Sequence, residues 1–311
     1  MKRKTLTILT PCYNEEGNVE ELNRQVNAVM STMPQYDYEH LFIDNASTDS
    51  TVRILKRMAA KDQRVKVIVN QRNFGQVRSP YHALMEARGD AVIGIVADFQ
   101  DPPELIRDFV SYWEEGYKIV MGQKIGSKES RFMRSIRSFY YNLVSNLSEV
   151  ELIRHITGSG LFDRDVIEQL RKLEDPCPYV RGLISELGYP IARVPYEQPL
   201  RRSGVTKNNW YTLYDLAMLG FTSHSKVPLR LATILGFISA VLCLLVAISY
   251  LVYKLLFWYS LPVGTAPMVI GIFFFASIQL FFIGIIGEYV GAIHTQVLKR
   301  PLVVEKERIN L

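Results

Sequence analysis

A chain of 311 residues with 48% hydrophobic and 22% charged side chains can hold one large domain plus an apolar appendage. Its formal net charge of +5 is modest: it compels no nucleic-acid partner and fits a basic surface facing anionic lipid head groups equally well. Three scattered cysteines, Cys12, Cys177 and Cys243, have neither metal-ligand spacing nor the even count of a disulfide framework, which points to a reducing compartment.

Met1-Lys2-Arg3-Lys4 could open a signal peptide, but the apolar run that follows is short. It breaks at Pro11-Cys12-Tyr13-Asn14 without a small-residue cleavage site, so the N-terminal domain is expected to stay in the cytoplasm. Short β-branched runs at Leu6–Thr10, Leu41–Asp44, Val65–Asn70, Ala91–Ala97 and Ile119–Gly122 read as strands buried on both faces. Between the first two, Val19, Leu22, Val26, Val29 and Met33 recur at helical spacing. Asp49 and Thr51 cap a second helix through Val52, Leu55 and Met58, and Pro102-Pro103-Glu104 opens a third. Such alternation predicts right-handed crossovers and a doubly wound, mostly parallel sheet. No G-x-G-x-x-G or Walker loop follows a strand, which argues against a dinucleotide dehydrogenase and a P-loop enzyme.

Beyond residue 125 the pattern loosens. Ser135–Leu152 and Trp210–Phe221 are helical in period and rich in aromatic side chains, with arginines and lysines at or before their starts. They suit a membrane interface or ordinary packing beneath the sheet. Leu231–Tyr253 carries no charge, and after Lys254 the chain stays uncharged until Glu288, with Pro262, Gly264 and Pro267 marking a turn. Two spans of about 20 apolar residues are therefore expected, forming a C-terminal two-helix transmembrane hairpin. Lys226 and Arg230 precede it and Lys299, Arg300, Lys306 and Arg308 follow it, so both ends are expected in the cytoplasm.

In a doubly wound sheet, ligands bind beyond the carboxyl ends of the strands. Polar groups gather at those ends: Tyr13-Asn14-Glu15-Glu16, Asp44-Asn45, Asn73, and Asp98-Phe99-Gln100-Asp101. Each alone reads equally as a turn, a cap or a solvated acid. Four strand ends offering acids and amides to one edge argue for a site. Two carboxylates and an amide oxygen within four residues suit a hard cation, Mg²⁺ or Mn²⁺, placed to neutralise a departing diphosphate. The five histidines show no ligand spacing and are expected to be structural or on the surface.

Taken together, Pro11-Cys12-Tyr13-Asn14-Glu15-Glu16, Asp44-Asn45-Ala46-Ser47-Thr48-Asp49, Asn73-Phe74-Gly75-Gln76 and Asp98-Phe99-Gln100-Asp101-Pro102-Pro103-Glu104 resemble glycosyltransferase family 2. Arg201-x-x-Gly204-x-Thr206-Lys207 and Gly287-Glu288-Tyr289 are similar to its polyprenyl-phosphate branch, which includes dolichol-phosphate mannose synthases and bactoprenol glucosyltransferases. The resemblance implies a glycosyltransferase A-type α/β fold and an inverting transfer of a hexose from a nucleotide diphosphate sugar, best matched by UDP-glucose. The acceptor it implies is a polyisoprenyl phosphate, best matched by undecaprenyl phosphate. Carried over by position, Pro11, Tyr13, Asn14, Glu15, Asp44 and Asn73 would hold the nucleotide sugar. Asp98 and Gln100 would coordinate the metal, Asp98 and Asp101 would serve catalysis, and Arg131, Arg134, Arg201 and Lys207 would clasp the lipid phosphate.

This chain departs from the family in three places. Asn45 stands where relatives often have a second aspartate, Val96 where many begin an Asp-x-Asp, and Ser159 where some carry an acid that could act as a base. A phosphate acceptor tolerates a missing base, since with a second pKa near 6 it is already mostly dianionic at neutral pH.

The expected organisation is a nucleotide-sugar-binding half at 1–125 and an acceptor-side part at 126–228. Spans at about 229–253 and 266–290 make up a segment at 229–293, and a cytoplasmic tail fills 294–311. This describes a multi-pass protein of the inner (plasma) membrane with its catalytic domain and both termini cytoplasmic, compatible with a homo-oligomer. Two other readings compete. A processive glycan synthase would need more spans and a Gln-x-x-Arg-Trp motif, whereas Trp210 here follows Asn208-Asn209. A non-catalytic, membrane-tethered nucleotide-sugar binder would keep its role without Asp98.

Overall fold

The computed structural model describes residues 3–125, 156–176, 178–199, 227–257 and 265–311. Its N-terminal half alternates as the apolar pattern predicts: β1 (Thr5–Cys12), α1 (Val19–Ser31), β2 (Asp37–Asp44), α2 (Thr51–Lys61), β3 (Val65–Asn70), α3 (Gly75–Glu86), β4 (Ala91–Gly94), α4 (Leu105–Glu114) and β5 (Ile119–Lys124). There follow β6 (Ile156–Asp163), α5 (Arg164–Leu173), α6 (Val180–Glu186), β7 (Ile191–Tyr196), the long helices α7 (Val227–Leu256) and α8 (Thr265–Val297), and finally β8 (Glu305–Ile309).

The eight strands form one sheet in the order β7-β5-β6-β4-β1-β2-β3-β8. Strands β4, β1, β2 and β3 run parallel, as do β5 and β7, while β6 and β8 are antiparallel to their neighbours. Side chains alternate across the sheet, and helices cover both faces. Leu6, Ile8 and Phe42 pack with Val19, Leu22, Leu55, Ile106 and Phe109 from α1, α2 and α4. Leu9, Leu41 and Ile43 pack with Tyr81, Leu84, Val166, Ile167, Leu170 and Ile184 from α3, α5 and α6. The mostly parallel, doubly wound class is thus as expected.

Six elements, α3, β6, α5, α6, β7 and β8, are not announced by the sequence pattern, and three of them run against local preference. Helix α3 begins at Gly75 and carries Pro80 inside it, two residues that ordinarily mark the end of a helix. Strand β6 contains Gly158-Ser159-Gly160, a poor strand former, yet Gly160 is required there: a Cβ at that position would lie 2.6 Å from the Val120 carbonyl oxygen on β5. Strand β8 reads Glu-Lys-Glu-Arg-Ile, which looks like a solvated tail. Its backbone pairs with β3, however, and its side chains are gripped from both sides. Glu305 meets His82 at 2.5 Å, Arg308 meets Glu86 at 2.8 Å, and the Asn310 amide donates to the Ala59 and Val65 carbonyls. Because Glu305 lies opposite Asn70, the chain leaving α8 joins the sheet at the carboxyl end of β3.

Helices α7 and α8 cover both expected spans and run somewhat longer than 229–253 and 266–290. Among the described residues one stretch, Phe274–Val297, is long and apolar enough to cross a membrane, and its 24 residues are unburied, with Leu280 and Phe281 about two-thirds exposed. The hairpin itself is not shown, since its connection, residues 258–264, lies outside the described residues. The same holds for the expected interfacial helices at 135–152 and 210–221.

Candidate active site

The connections through α1 and α2 carry the chain from β1 outward to β3, and α3 brings it back to β4 on the other side of β1. The sheet therefore has its topological switch point between β1 and β4, and it is beyond the carboxyl ends at such a point that ligands of doubly wound sheets bind. The segments after β1 and β4 flank it, and those after β2 and β3 lie alongside.

After β1, Asn14 adopts a left-handed conformation (φ 58°) that turns the backbone sharply. Its N–H donates to Ser47 Oγ at 2.8 Å, and its side-chain oxygen accepts from Thr48 N. The Glu15 N–H donates to Thr51 Oγ1, and Glu16 Oε2 accepts from Ser50 N. The two turns are laced together, which fixes Tyr13, Asn14 and Glu15 half-buried at the rim. Pro11, in β1 itself, is also half-buried and pairs in register with Ile43.

Asp44 closes β2 fully buried, with both oxygens bonded by Ser47: Oδ1 accepts from its N–H at 2.9 Å and Oδ2 from its hydroxyl. Burial raises its carboxyl above the usual range, and Ser47 partly offsets this. Asp49 is half-buried, which works in the same direction, but hydrogen bonds from Thr51 and the Glu16 N–H hold it below the usual range. It stands one residue before the N-cap, Ser50, and its Oδ1 accepts from both the N–H and the hydroxyl of Thr51, the first residue of α2. The Cys12 thiol is pushed well up by burial and then by Asp44, Glu15 and Asp49, so three carboxylates share its surroundings and the thiol is inert.

Across the switch point, Asp98 is 8% exposed and its Oδ1 accepts from the Gln100 N–H at 3.1 Å, helped by Phe99 in a left-handed conformation. Asp101 differs sharply from it. It is 2% exposed, Oδ2 accepts from Ser159 Oγ on β6, and Oδ1 accepts from the Tyr196 hydroxyl on β7. Burial raises its carboxyl, with the two hydroxyls working against the rise. Asp101 therefore ties the loop after β4 to the far half of the sheet, and Ser159, seen in sequence as a missing base, is its partner. Tyr196 carried no sequence signal, because an aromatic after Pro195 in a strand is ordinary core. Asn73 stands exposed in the turn before α3, its Oδ1 accepting from the Gly75 N–H and Asn45 Nδ2. Arg131, Arg134, Arg201 and Lys207 lie outside the described residues.

Among the described residues no group of three or more His, Cys, Asp or Glu side chains is placed to hold a metal. Asp98 and Gln100 are the residues expected to hold a cation, and the hydrogen bond from the Gln100 N–H to Asp98 Oδ1 sets them side by side. Such a pair suits Mg²⁺ or Mn²⁺, which take one or two protein ligands and fill the rest with water and phosphate oxygens. Asp101, already engaged by two hydroxyls, is not part of that set.

A switch point flanked by acids and amides, in a sequence with no nucleotide-binding glycine loop, fits an α/β enzyme of the glycosyltransferase A type. The chain belongs to glycosyl transferase family 2, whose description matches residues 7–171, and it is a glycosyltransferase. Among its relatives is an uncharacterized glycosyltransferase, YkcC, of Bacillus subtilis (strain 168), 33% identical over 98% of this chain and 94% of its own. Another is the SfII prophage-derived bactoprenol glucosyl transferase of Shigella flexneri, 30% identical over 97% of each chain. A solved structure of glucosyl-3-phosphoglycerate synthase from Mycobacterium tuberculosis, with Mn²⁺, UDP and phosphoglyceric acid, is 20% identical, with a TM-score of 0.48 over 69% of this chain and 75% of that one.

Proposed function

We propose that the protein transfers a hexose, from UDP-glucose as the best-matched donor, to undecaprenyl phosphate or a similar polyisoprenyl phosphate, with inversion, at the cytoplasmic face of the inner membrane. The observation that carries this reading is the entry point of β8. A helix fit to span a membrane is followed by seven residues of chain, 298–304, that lead into the sheet beside Asn70, on the edge where Asp98, Asp44 and Asn73 gather. That connection favours a nucleotide-sugar crevice close to the bilayer surface, where a lipid phosphate is within reach. Relatives named as bactoprenol glucosyl transferases, matched over nearly their whole length, support the same acceptor.

The sheet also bears on topology. Strands β1 to β7 precede α7 and β8 follows α8, so both ends of the helical segment belong to one domain on one side. An even number of crossings satisfies this, which favours α7 and α8 crossing as a pair, with Lys299 and Arg300 on the cytoplasmic side.

Chemically, the acceptor phosphate is mostly dianionic at neutral pH and needs no base to attack the anomeric carbon. The C–O bond to the diphosphate breaks as the new bond to the phosphate oxygen forms on the opposite face, which inverts the centre. Pro11, Tyr13, Asn14, Glu15, Asp44 and Asn73 hold and orient the nucleotide sugar, and Arg131, Arg134, Arg201 and Lys207 align the lipid phosphate. Asp98 and Gln100 would hold the divalent cation, which when bound supplies positive charge to the leaving diphosphate. Asp101 keeps the Asp98 loop in place from behind.

The test is to incubate detergent-purified protein, Mg²⁺ or Mn²⁺ and undecaprenyl phosphate with a panel of nucleotide sugars and to look for glycolipid. Product from one donor, abolished by a chelator and restored by added metal, is the expected result. No glycolipid from any donor would overturn the reading.

A further inference from the structure

The buried amide of Asn45 is the polar group that the reaction does not yet explain. It is 8% exposed and sits directly after β2, with its N–H donating to the Cys12 carbonyl at 2.9 Å. Its side chain faces the Asn73-Phe74-Gly75 turn and grips it twice. Oδ1 accepts from the Phe74 N–H at 2.9 Å, while Nδ2 donates to the Gly75 carbonyl at 3.1 Å and to Asn73 Oδ1 at 2.9 Å. Because one partner is a backbone N–H and another a backbone C=O, the amide orientation is fixed by the chain itself. Behind it, Asn70 Nδ2 donates to Asn45 Oδ1 at 3.1 Å and to Ser79 Oγ at 2.9 Å, bracing the amide from β3.

A carboxamide carries an acceptor oxygen and a two-proton donor side by side, which is what the Phe74 N–H, the Gly75 carbonyl and Asn73 Oδ1 together require. An aspartate would still accept from Phe74 but would press an anionic oxygen against two acceptors, the Gly75 carbonyl and Asn73 Oδ1. The grip also settles what Asn73 has left to offer. Its Oδ1 is taken by Asn45 and Gly75, so the group it can turn toward a ligand is its NH₂ donor, suited to a carbonyl or phosphate oxygen. Gly75, at φ 85°, completes the turn in a conformation that other residues adopt only with strain.

We propose that Asn45 is a positioning residue for the donor: its carboxamide sets the Asn73-Phe74-Gly75 turn so that the Asn73 NH₂ group meets the nucleotide sugar. The proposal rests on the transferase reading above and is tested in the same assay, on the full-length protein in detergent. Three variants are compared with wild type: Asn45→Asp, Asn45→Ala and Gly75→Ala. The last distorts the turn through its backbone alone, since an added Cβ would meet nothing within 4 Å. Unsettling the turn, by loss of the Asn45 hydrogen bonds or by strain at Gly75, is expected to raise the donor KM about tenfold, with kcat and the polyprenyl-phosphate KM within about twofold of wild type. All three variants should share this signature. If Asn45→Asp alone raises the donor KM, added negative charge is the cause and the proposal falls. It falls too if no variant moves the donor KM, or if kcat drops while the donor KM holds. Should both Asn45 variants fail to fold, Gly75→Ala decides by the same criterion. A wild type that makes no glycolipid counts against the transferase reading alone. UDP affinity by calorimetry then replaces the donor KM, and equal affinity in wild type and Gly75→Ala would overturn the role of Asn45.

Discussion

The two halves of the sheet handle their polar residues differently. From β1 to β4, the groups at the strand ends are bonded by neighbours in the same or the adjoining turn: Asp44 by Ser47, Asp49 by Thr51, Asp98 by the Gln100 N–H. From β5 to β7, single hydroxyls reach back over 58 and 95 residues of chain to one carboxylate, Asp101. The near half presents its acids at the crevice, whereas the far half buries its polar groups to hold the near half in place. Two aspartates three residues apart, Asp98 and Asp101, therefore have different kinds of partner, one local and one distant.

The sharpest way to break this contrast is Asp98→Ala. Removing the metal-side carboxylate is expected to lower the rate of glycolipid formation by at least about 100-fold, with the melting temperature in detergent nearly unchanged. A variant that keeps its activity would return Asp98 to the role of a turn residue. A second test concerns His40, buried in the near half, where Nδ1 donates to Asn23 Oδ1, Nε2 accepts from Thr10, and the ring stacks on Phe42. Burial lowers its pKa to about 3, so the folded protein keeps it neutral while the unfolded chain protonates near pH 6.5. Its stabilising effect is complete above pH 6.5 and is lost as the pH falls from there toward 3. At pH 5 the loss is about 2 kcal/mol. Melting curves between pH 7 and 5 should show this drop for wild type and a shallower one for His40→Gln. The smallest effect belongs to the far half: Tyr196→Phe, which removes one hydroxyl from a buried carboxylate, should cost about 1.5 kcal/mol of stability. The same variant should change kcat several-fold at most. A loss of turnover matching that of Asp98→Ala would mean that Asp101 works in the chemistry after all.

The same locality explains what the sequence disclosed. Strands β1 to β5 announce themselves because each contains a short apolar run buried on both faces, and α1 and α2 each show a clear apolar stripe. Helix α3 hides behind Gly75 and Pro80 because tertiary packing of Tyr81 and Leu84 outweighs their local cost. β6 hides because its Ser and Gly residues are set by close approach to β5 and not by strand preference. β8 hides because its charges pair with residues some 220 to 250 positions away, such as His82, Glu86 and Lys56. In the site, Tyr13, Asn14, Glu15, Asp44, Asn73 and Asp98 were legible from their place at strand ends. The engagement of Asp101 by Ser159 and Tyr196, and the double grip of Asn45, depend on chain crossings that no local pattern encodes.

The stretch between α8 and β8 is short. From Val297 to Glu305 there are eight steps of chain, which extend to about 27 Å at most. The domain is thus on a leash: however it rocks, the point where β8 enters the sheet stays within that radius of the span's end. On the proposed membrane topology, the length of 298–304 would set how close the sheet's carboxyl edge stays to the bilayer, and shortening or lengthening it would move that edge toward or away from the head groups.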